Sequence, residues 1–161
     1  MADLVKELGY LTLGTRLRRL GERLQAETQR IMDEAGLTIQ AAQFPYLAAL
    51  DRDGPLSVGD LAALLGISQP GVTRTLSQLA RQGLVETVIS KEDQRRRVVA
   101  LSDEGRALVA FSRDQVWPKV EAAVRGLCRD LDGSLLDQLA GLEQGLDGIS
   151  LVRRAATWGQ Q

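Results

Sequence analysis

Leu13, Leu17, Leu20 and Leu24 recur at intervals of four, three and four. That spacing lays an apolar stripe along one face of a helix, and the pattern predicts helix across residues 4–35. Arg16, Arg18, Arg19, Glu22, Arg23 and Glu27 fill the other sides, and Gly36 is a fitting stop after Ala35. A shorter helix is expected from Gln40 to Leu50, with Phe44, Leu47 and Leu50 inward and Pro45 in its first turn, the place where a helix tolerates proline. Asp51 to Pro55 holds two Asp, a Gly and a Pro, and reads as a turn.

The stretch from Ser57 to Arg97 reads as a helix-turn-helix followed by a two-stranded basic wing. Ser57 and Asp60 have capping-box spacing at the start of a helix whose apolar residues are Leu61, Ala62, Leu64 and Leu65. In Gly66-Ile67-Ser68, the glycine can take the left-handed conformation that ends a helix, Ile67 is expected to plug the core, and Ser68 to cap the next helix. Ala62, Gly66 and Val72 carry the offsets of a helix-turn-helix. From Gln69 to Gln82, Val72, Leu76 and Leu79 point one way. Pro70, Arg74, Ser77 and Arg81 fall on the opposite face, with Gly71, Thr73 and Gln78 beside it and Gln69 at the tip. Such small, polar and cationic groups suit base edges and phosphates in a major groove. Leu84 to Ile89 and Arg97 to Leu101 are rich in β-branched residues and flank a charged loop, so they read as a hairpin with Lys91, Gln94, Arg95 and Arg96 at its tip. An arginine on a rigid ribbon can enter a narrow minor groove. Asp93 could anchor Arg95 or stiffen the tip through an Asx-turn. Taken singly, each arginine also fits a solvated face.

Ser102 caps a further helix with Gly105 in its first turn, expected to reach about Arg129 with a stripe of Val116, Val120, Val124, Leu127 and Leu131 and a kink at Pro118. Asp132-Gly133-Ser134 breaks it. Leu135, Leu139, Leu142, Leu146 and Ile149 then form a heptad-like seam, and a frayed tail is expected after Val152. The chain thus divides into a first helix (1–36), a winged helix-turn-helix (37–101), two further helices (102–152) and a tail (153–161). The fold class is mainly α with a small β-hairpin wing.

Composition narrows the chemistry. The 161 residues contain no histidine and one cysteine, which removes His-based catalysis and the usual zinc sites. No nucleophile elbow, P-loop or dinucleotide fingerprint is present, so no cofactor, no metal and no enzymatic activity is expected. One cysteine cannot form an internal disulfide, and no apolar run or leader suggests a membrane, so the expected compartment is the cytoplasm. The net charge of −1 argues against nucleic acid until its distribution is seen. Six cations against three anions between Ser68 and Leu101 leave that stretch at +3 and the remainder at −4.

The run Ile67-Ser68-Gln69-Pro70-Gly71-Val72-Thr73-Arg74, followed by Leu79, Gly83-Leu84-Val85, Asp93-Gln94-Arg95-Arg96, Val99-Ala100-Leu101-Ser102 and Gly105, resembles the MarR family of bacterial transcription regulators. The resemblance extends from the first long helix to about Ile149. It implies a winged helix-turn-helix homodimer that binds double-stranded DNA, usually as a repressor of nearby genes. By that match Arg95 is the minor-groove arginine, Asp93 its wing partner, and Gln69, Pro70, Gly71, Thr73 and Arg74 take major-groove positions. Ser68, Ser77, Lys91, Gln94, Arg96 and Arg97 complete the expected DNA-contacting set.

Leu4, Leu8 and Leu11, with the seam from Leu135 to Ile149, would supply dimerisation; an intramolecular core is the alternative. Relatives bind aromatic acids between the DNA lobe and the dimer helices. Tyr10, Arg16, Phe44, Tyr46, Phe111 and Trp117 are candidates here for a small aromatic or anionic effector, although each aromatic also fits a core role. Cys128 lies on an apolar stripe and is expected to be a buried, inert thiol. Two other readings stay open: the DNA module of a larger regulator with a C-terminal acetyltransferase domain, or a protein–protein adaptor reusing the winged fold.

Overall fold

The computed structural model describes residues 2–90 and 97–157 and divides the chain after Val120 into two compact units. In the first unit, α1 (Leu4–Glu7) is capped by Asp3, whose carboxylate accepts from the Val5 N–H. A 3-10 turn (Gly9–Thr12) follows, and α2 runs from Leu13 to Glu34. The expected continuous helix over 4–35 is therefore interrupted. Gly9, at φ +56°, breaks the hydrogen-bond ladder, and glycine enters that left-handed region at little cost. Thr12 closes the corner by donating its hydroxyl to the Val5 carbonyl at 2.7 Å. Asp3 and Arg19 then clasp in a two-pronged ion pair (2.7 and 3.0 Å), tying α1 to α2.

A 3-10 turn over Ala41–Gln43 leads into α3 (Phe44–Asp53) with Pro45 in the first turn, as the pattern requires. Asp51, Arg52 and Asp53 are helical, so the expected turn begins later. Gly54, at φ +80°, is where the chain leaves the helix. Leu47 and Leu50 are buried as expected and Phe44 only partly, while Tyr46 is 3% exposed. Next comes α4 (Val58–Leu65). Its capping box is complete: Ser57 Oγ accepts from the Asp60 N–H, and the Asp60 carboxylate accepts from the Ser57 N–H and hydroxyl. Gly66 closes it at φ +63°.

The next helix, α5, spans Gln69–Arg81 and buries Val72, Leu76 and Leu79. Two expectations fail at its entrance. Ile67 does not plug the core but stays 40% exposed, lying over the first turn of α5. Ser68 occupies the cap position, yet its side chain makes no cap bond there.

The wing pairs β1 (Val85–Ile89) with β2 (Arg97–Leu101) in antiparallel register, Val85 opposite Leu101 and Ile89 opposite Arg97. Leu56 adds a single bridge on the other edge of β2, exchanging both backbone bonds with Val99. Packed on the hairpin base, α6 (Asp103–Gln115) is capped by Ser102. Met32, Ile39, Leu47, Leu61, Val72, Leu79, Val109 and Val116 are essentially sealed from solvent, so one core joins the end of α2 to the helix-turn-helix, wing and α6. Burying each such side chain contributes about 1.5–3 kcal/mol.

The long helix expected from Ser102 to Arg129 is two. It breaks at Val116 (φ −115°, ψ −51°), and α7 (Trp117–Leu127) carries Pro118 in its first turn. Proline lacks an N–H to donate back into the preceding turn, so the ladder parts just ahead of it. Along the expected stripe, Val116 is buried and Val120 partly so, whereas Val124, Leu127 and Leu131 are exposed.

In the second unit, Gly133 (φ +75°) turns the chain and Ser134 caps α8 (Leu135–Gly148). The tail expected to fray after Val152 instead begins inside α9 (Leu151–Ala156). Ser150 caps that helix, and Arg154 donates to the Ile149 and Gly145 carbonyls (3.1 and 2.7 Å), satisfying backbone acceptors at the end of α8. Cys128 is half-buried, not sealed as expected.

Candidate nucleic-acid interface

One face of α5 is fixed by burial, and that decides the other. With Val72, Leu76 and Leu79 turned into the core, helical geometry turns Pro70, Arg74, Ser77 and Arg81 outward, and all four are exposed. Gln69 and Thr73 are exposed beside them, Ser68 stands exposed at the cap, and Gly71 is half-buried. A methyl group on Gly71 would sit 3.1 Å from Ile67 Cγ2 and 3.3 Å from Ser68 Oγ. Position 71 is thus closely covered by the turn before it.

The hydroxyls on this face are already oriented. Thr73 Oγ1 donates to the Gln69 carbonyl (3.0 Å) and Ser77 Oγ to the Thr73 carbonyl (2.8 Å). Each oxygen therefore presents its acceptor side outward, a match for base amino groups more than for phosphates. Arg74 and Arg81 supply the positive charge.

The wing is anchored at its base. Ser102 Oγ donates to the Gly83 carbonyl (2.6 Å), the Ser102 N–H donates to the Leu84 carbonyl (3.1 Å), and Ser102 Oγ accepts from the Gly105 N–H (3.0 Å). A Cβ on Gly105 would lie 2.0 Å from the Leu84 carbonyl oxygen, so only glycine allows α6 this close to the hairpin. Arg97 is exposed at the start of β2. Lys91, Asp93, Gln94, Arg95 and Arg96, the expected wing tip, lie outside the described residues.

The effector candidates scatter. Phe44 and Trp117 meet edge to face, ring centroids 5.3 Å apart. Tyr46 is buried in the core, which removes it as an open lining residue. Tyr10 stands 94% exposed on the first 3-10 turn, and Arg16 and Phe111 are also exposed.

A cavity of about 490 Å³ lies between α3, α4 and the α6–α7 junction, and Trp117 is the sequence candidate in its lining. The other notable groups are ones that sequence reasoning missed: Asp51, Arg52 and Arg113. Arg113 pairs with Asp51 and lies over the Trp117 ring, 5.7 Å from its centroid. Arg52 is held by Asp53 at 2.7 Å, and that hydrogen bond keeps the Asp53 carboxyl below its ordinary range. Buried Trp117 Nε1 has no hydrogen-bond partner among the described residues. Asp51 and Arg52 belong to the cavity wall because α3 runs on to Asp53, past the start of the turn that the sequence predicts at 51–55.

The expected dimer leucines are largely uncovered. Leu4, Leu8 and Leu11 are exposed in the first unit; in the second, Leu139 is half-buried and Leu135, Leu142, Leu146 and Ile149 are exposed. Leu17, Leu20 and Leu24 of α2 also remain 40–45% exposed. Among the described residues no group of three or more Cys, Asp or Glu is placed to hold a metal ion, and no helix is long and apolar enough to cross a membrane.

Known proteins resemble this arrangement in sequence and in shape. A family model described as MarR family matches residues 35–96, from the end of α2 to the wing. The HTH-type transcriptional regulator FarR of Neisseria gonorrhoeae is 31% identical over 129 residues, spanning 78% of this chain and 87% of that protein. Among solved structures, Bordetella bronchiseptica BpsR, described with the regulation of its DNA binding by 6-hydroxynicotinic acid, superposes with a TM-score of 0.65 at 25% identity, covering 85% of this chain and 94% of that one. A mutant MarR from E. coli complexed with operator DNA gives 0.60 at 25% identity, covering 92% and 99%. A buried-face and polar-face helix after a glycine turn, a wing clamped to it, and these likenesses agree: the chain belongs to the MarR family of winged-helix, DNA-binding transcriptional regulators.

Proposed function

We propose that the chain acts as a homodimer on a palindromic operator, with α5 reading the major groove through Gln69, Pro70, Gly71, Thr73 and Arg74 and the wing reaching the minor groove through Arg95. The observation that carries this reading is the outward face of α5, where Arg74 and Arg81 stand among small polar groups while the apolar face is sealed in the core. One such helix covers a short stretch of groove. Two copies about one DNA turn apart, ~34–36 Å, read a palindrome and gain affinity together. The exposed leucines of α2 and α8 support the pairing: packed against a second copy they leave water, and isolated in solvent they gain nothing.

Ligand response is the second part of the proposal. The cavity beside Trp117 suits a small aromatic anion: a carboxylate would take Arg113 from Asp51, and a ring would pack beside Trp117.

Selection of bound duplexes from a random pool tests the DNA reading and the dimer at once. The expected result is a palindrome with half-site centres ten to eleven base pairs apart, roughly one turn. Enrichment of single half-sites would remove the dimer, and no enrichment would favour an adaptor that uses the fold without DNA. For the effector, Arg113→Ala should abolish release of that DNA by an aromatic acid while DNA affinity stays intact.

A further inference from the structure

Among the described residues the buried polar side chains are Gln43 and Ser112, and Ser112 donates to the Leu108 carbonyl one turn back. Gln43 is different. It is 4% exposed and held at both ends by groups that differ in kind. Its Oε1 accepts from the Gln40 N–H (3.0 Å), and its Nε2 donates to Gln78 Oε1 on α5 (3.3 Å), a residue 35 positions further along the chain. A backbone N–H only donates, so Gln40 decides which end of the Gln43 amide is oxygen. The Gln43 NH2 must then face α5, the Gln78 carbonyl must face Gln43, and the Gln78 NH2 is turned away.

A second glutamine secures the segment before it. From α2, Gln29 Oε1 accepts from the Ala41 N–H (2.7 Å), while its Nε2 donates to the Ile39 carbonyl (3.0 Å) and to Asp33 (2.8 Å). A polar chain therefore runs from α2 through residues 39–43 to α5. It ends at Gln78, one turn after Arg74 on the same outward side. An unpartnered buried amide is costly, and here both ends of the Gln43 amide are partnered, which fixes its direction.

We propose that Gln43 is a positioning residue for DNA recognition, setting the Gln78 amide so that its NH2 donates to a backbone phosphate beside the groove that Arg74 enters. This rests on the reading of α5 as the groove helix. Phosphate is the fitting acceptor because its oxygens only accept, and because such contacts fix the register of a helix on the duplex. Gln29, by holding residues 39–41, extends the same register back to α2.

The test is a double-variant cycle read by fluorescence anisotropy on a duplex that the wild-type chain has selected from a random pool, with thermal melting alongside. Gln43→Met keeps the volume and removes the polarity; Gln78→Ala removes both the proposed phosphate donor and the acceptor that Gln43 uses, so melting is read beside affinity. Each is expected to weaken binding roughly tenfold, the scale of one hydrogen bond to a charged group. The double variant should bind no more weakly than Gln78→Ala alone, since Gln43 acts through Gln78. Gln43→Glu, which keeps an acceptor for Gln40 but turns an acceptor toward Gln78, should weaken binding at least as much as Gln43→Met. Losses that multiply in the double variant would show that Gln43 does not act through Gln78, and that result overturns the proposal; so does wild-type binding by Gln78→Glu, which keeps an acceptor for Gln43 and removes only the outward donor. So does wild-type binding by Gln78→Ala, which decides the matter even if Gln43→Met fails to fold. If the wild-type chain enriches no sequence, the groove-helix reading fails first and takes this one with it.

Discussion

A methyl group added at position 105 would meet the Leu84 carbonyl oxygen at 2.0 Å, a backbone atom that cannot swing aside. Gly105→Ala must therefore push α6 from the hairpin base or break the Ser102 bonds beside it. The expected loss is about 3 kcal/mol, at the upper end for overpacking in a tight core, and it is read as a lowered melting temperature. Two serines offer a finer test. Ser57 accepts from the Asp60 N–H and so caps α4, whereas Ser68 holds the equivalent place before α5 without a side-chain bond. Ser57→Ala should cost about 1 kcal/mol and Ser68→Ala only a few tenths in stability, measured by denaturant unfolding. Both stand at the N-cap position of a helix. What separates them is the third residue on: Asp60 completes a capping box with Ser57, whereas Gly71 has no side chain to answer Ser68.

At the scale of the element, the latch between α1 and α2 has a defined pH response. The Arg19 guanidinium, with smaller help from the Val5 and Lys6 N–H groups, holds the Asp3 carboxyl at about 2, below its usual 3.8. A carboxyl lowered on folding stabilises fully above its unfolded value and loses that contribution as pH falls through the folded one. Docking of α1 should therefore hold from neutral pH down to about 4 and be released between about 4 and about 2; Asp3→Asn should release it at pH 7. Amide exchange of residues 4–8 reads both. On α5, Arg74→Ala should weaken selected-duplex binding and relax preference at one base pair by about 1–3 kcal/mol, while melting is unchanged.

Much of this element order was legible because periodicity reports burial directly: Val72, Leu76 and Leu79 could face nowhere but inward. Breaks were harder. Gly9 and Val116 interrupt helices whose apolar spacing runs on past them, and Asp51–Asp53 are turn-forming residues that α3 retains because Gly54 ends it. Ile67 looked like a core residue, yet the close cover it gives Gly71 keeps it at the surface. Gln43 left a faint signal, as a polar residue in register with Leu47 and Leu50 on the inward face of α3. The cavity beside Trp117 left none, because Asp51 and Arg113 lie 62 residues apart and only the fold joins them.

For the whole molecule, affinity for DNA and self-association should be linked. The seam of α8 carries Leu139, Leu142 and Leu146 with solvent over most of it. If the proposed dimer forms through this seam, Leu142→Lys should yield a monomer in sedimentation and weaken binding to a full palindrome by at least tenfold, roughly 1.4 kcal/mol, with little effect on a single half-site. Equal loss on both substrates would show that the substitution had damaged the reading head itself.

The clamp at the hairpin base has a consequence for how this protein can diversify. Ser102, Gly83, Leu84 and Gly105 lock the two strands where they leave the core, and the pairing from Val85 to Leu101 carries that order outward to Ile89 and Arg97. Whatever joins those two ends is bounded by a finished scaffold. None of these bonds draws on the segment between Ile89 and Arg97, so replacing that segment is expected to leave the melting temperature of the body unchanged. On the proposed division of labour between wing and α5, a wing loop transplanted from a relative between Ile89 and Arg97 should change the sequence preference flanking the α5 contacts and leave the preference at those contacts in place.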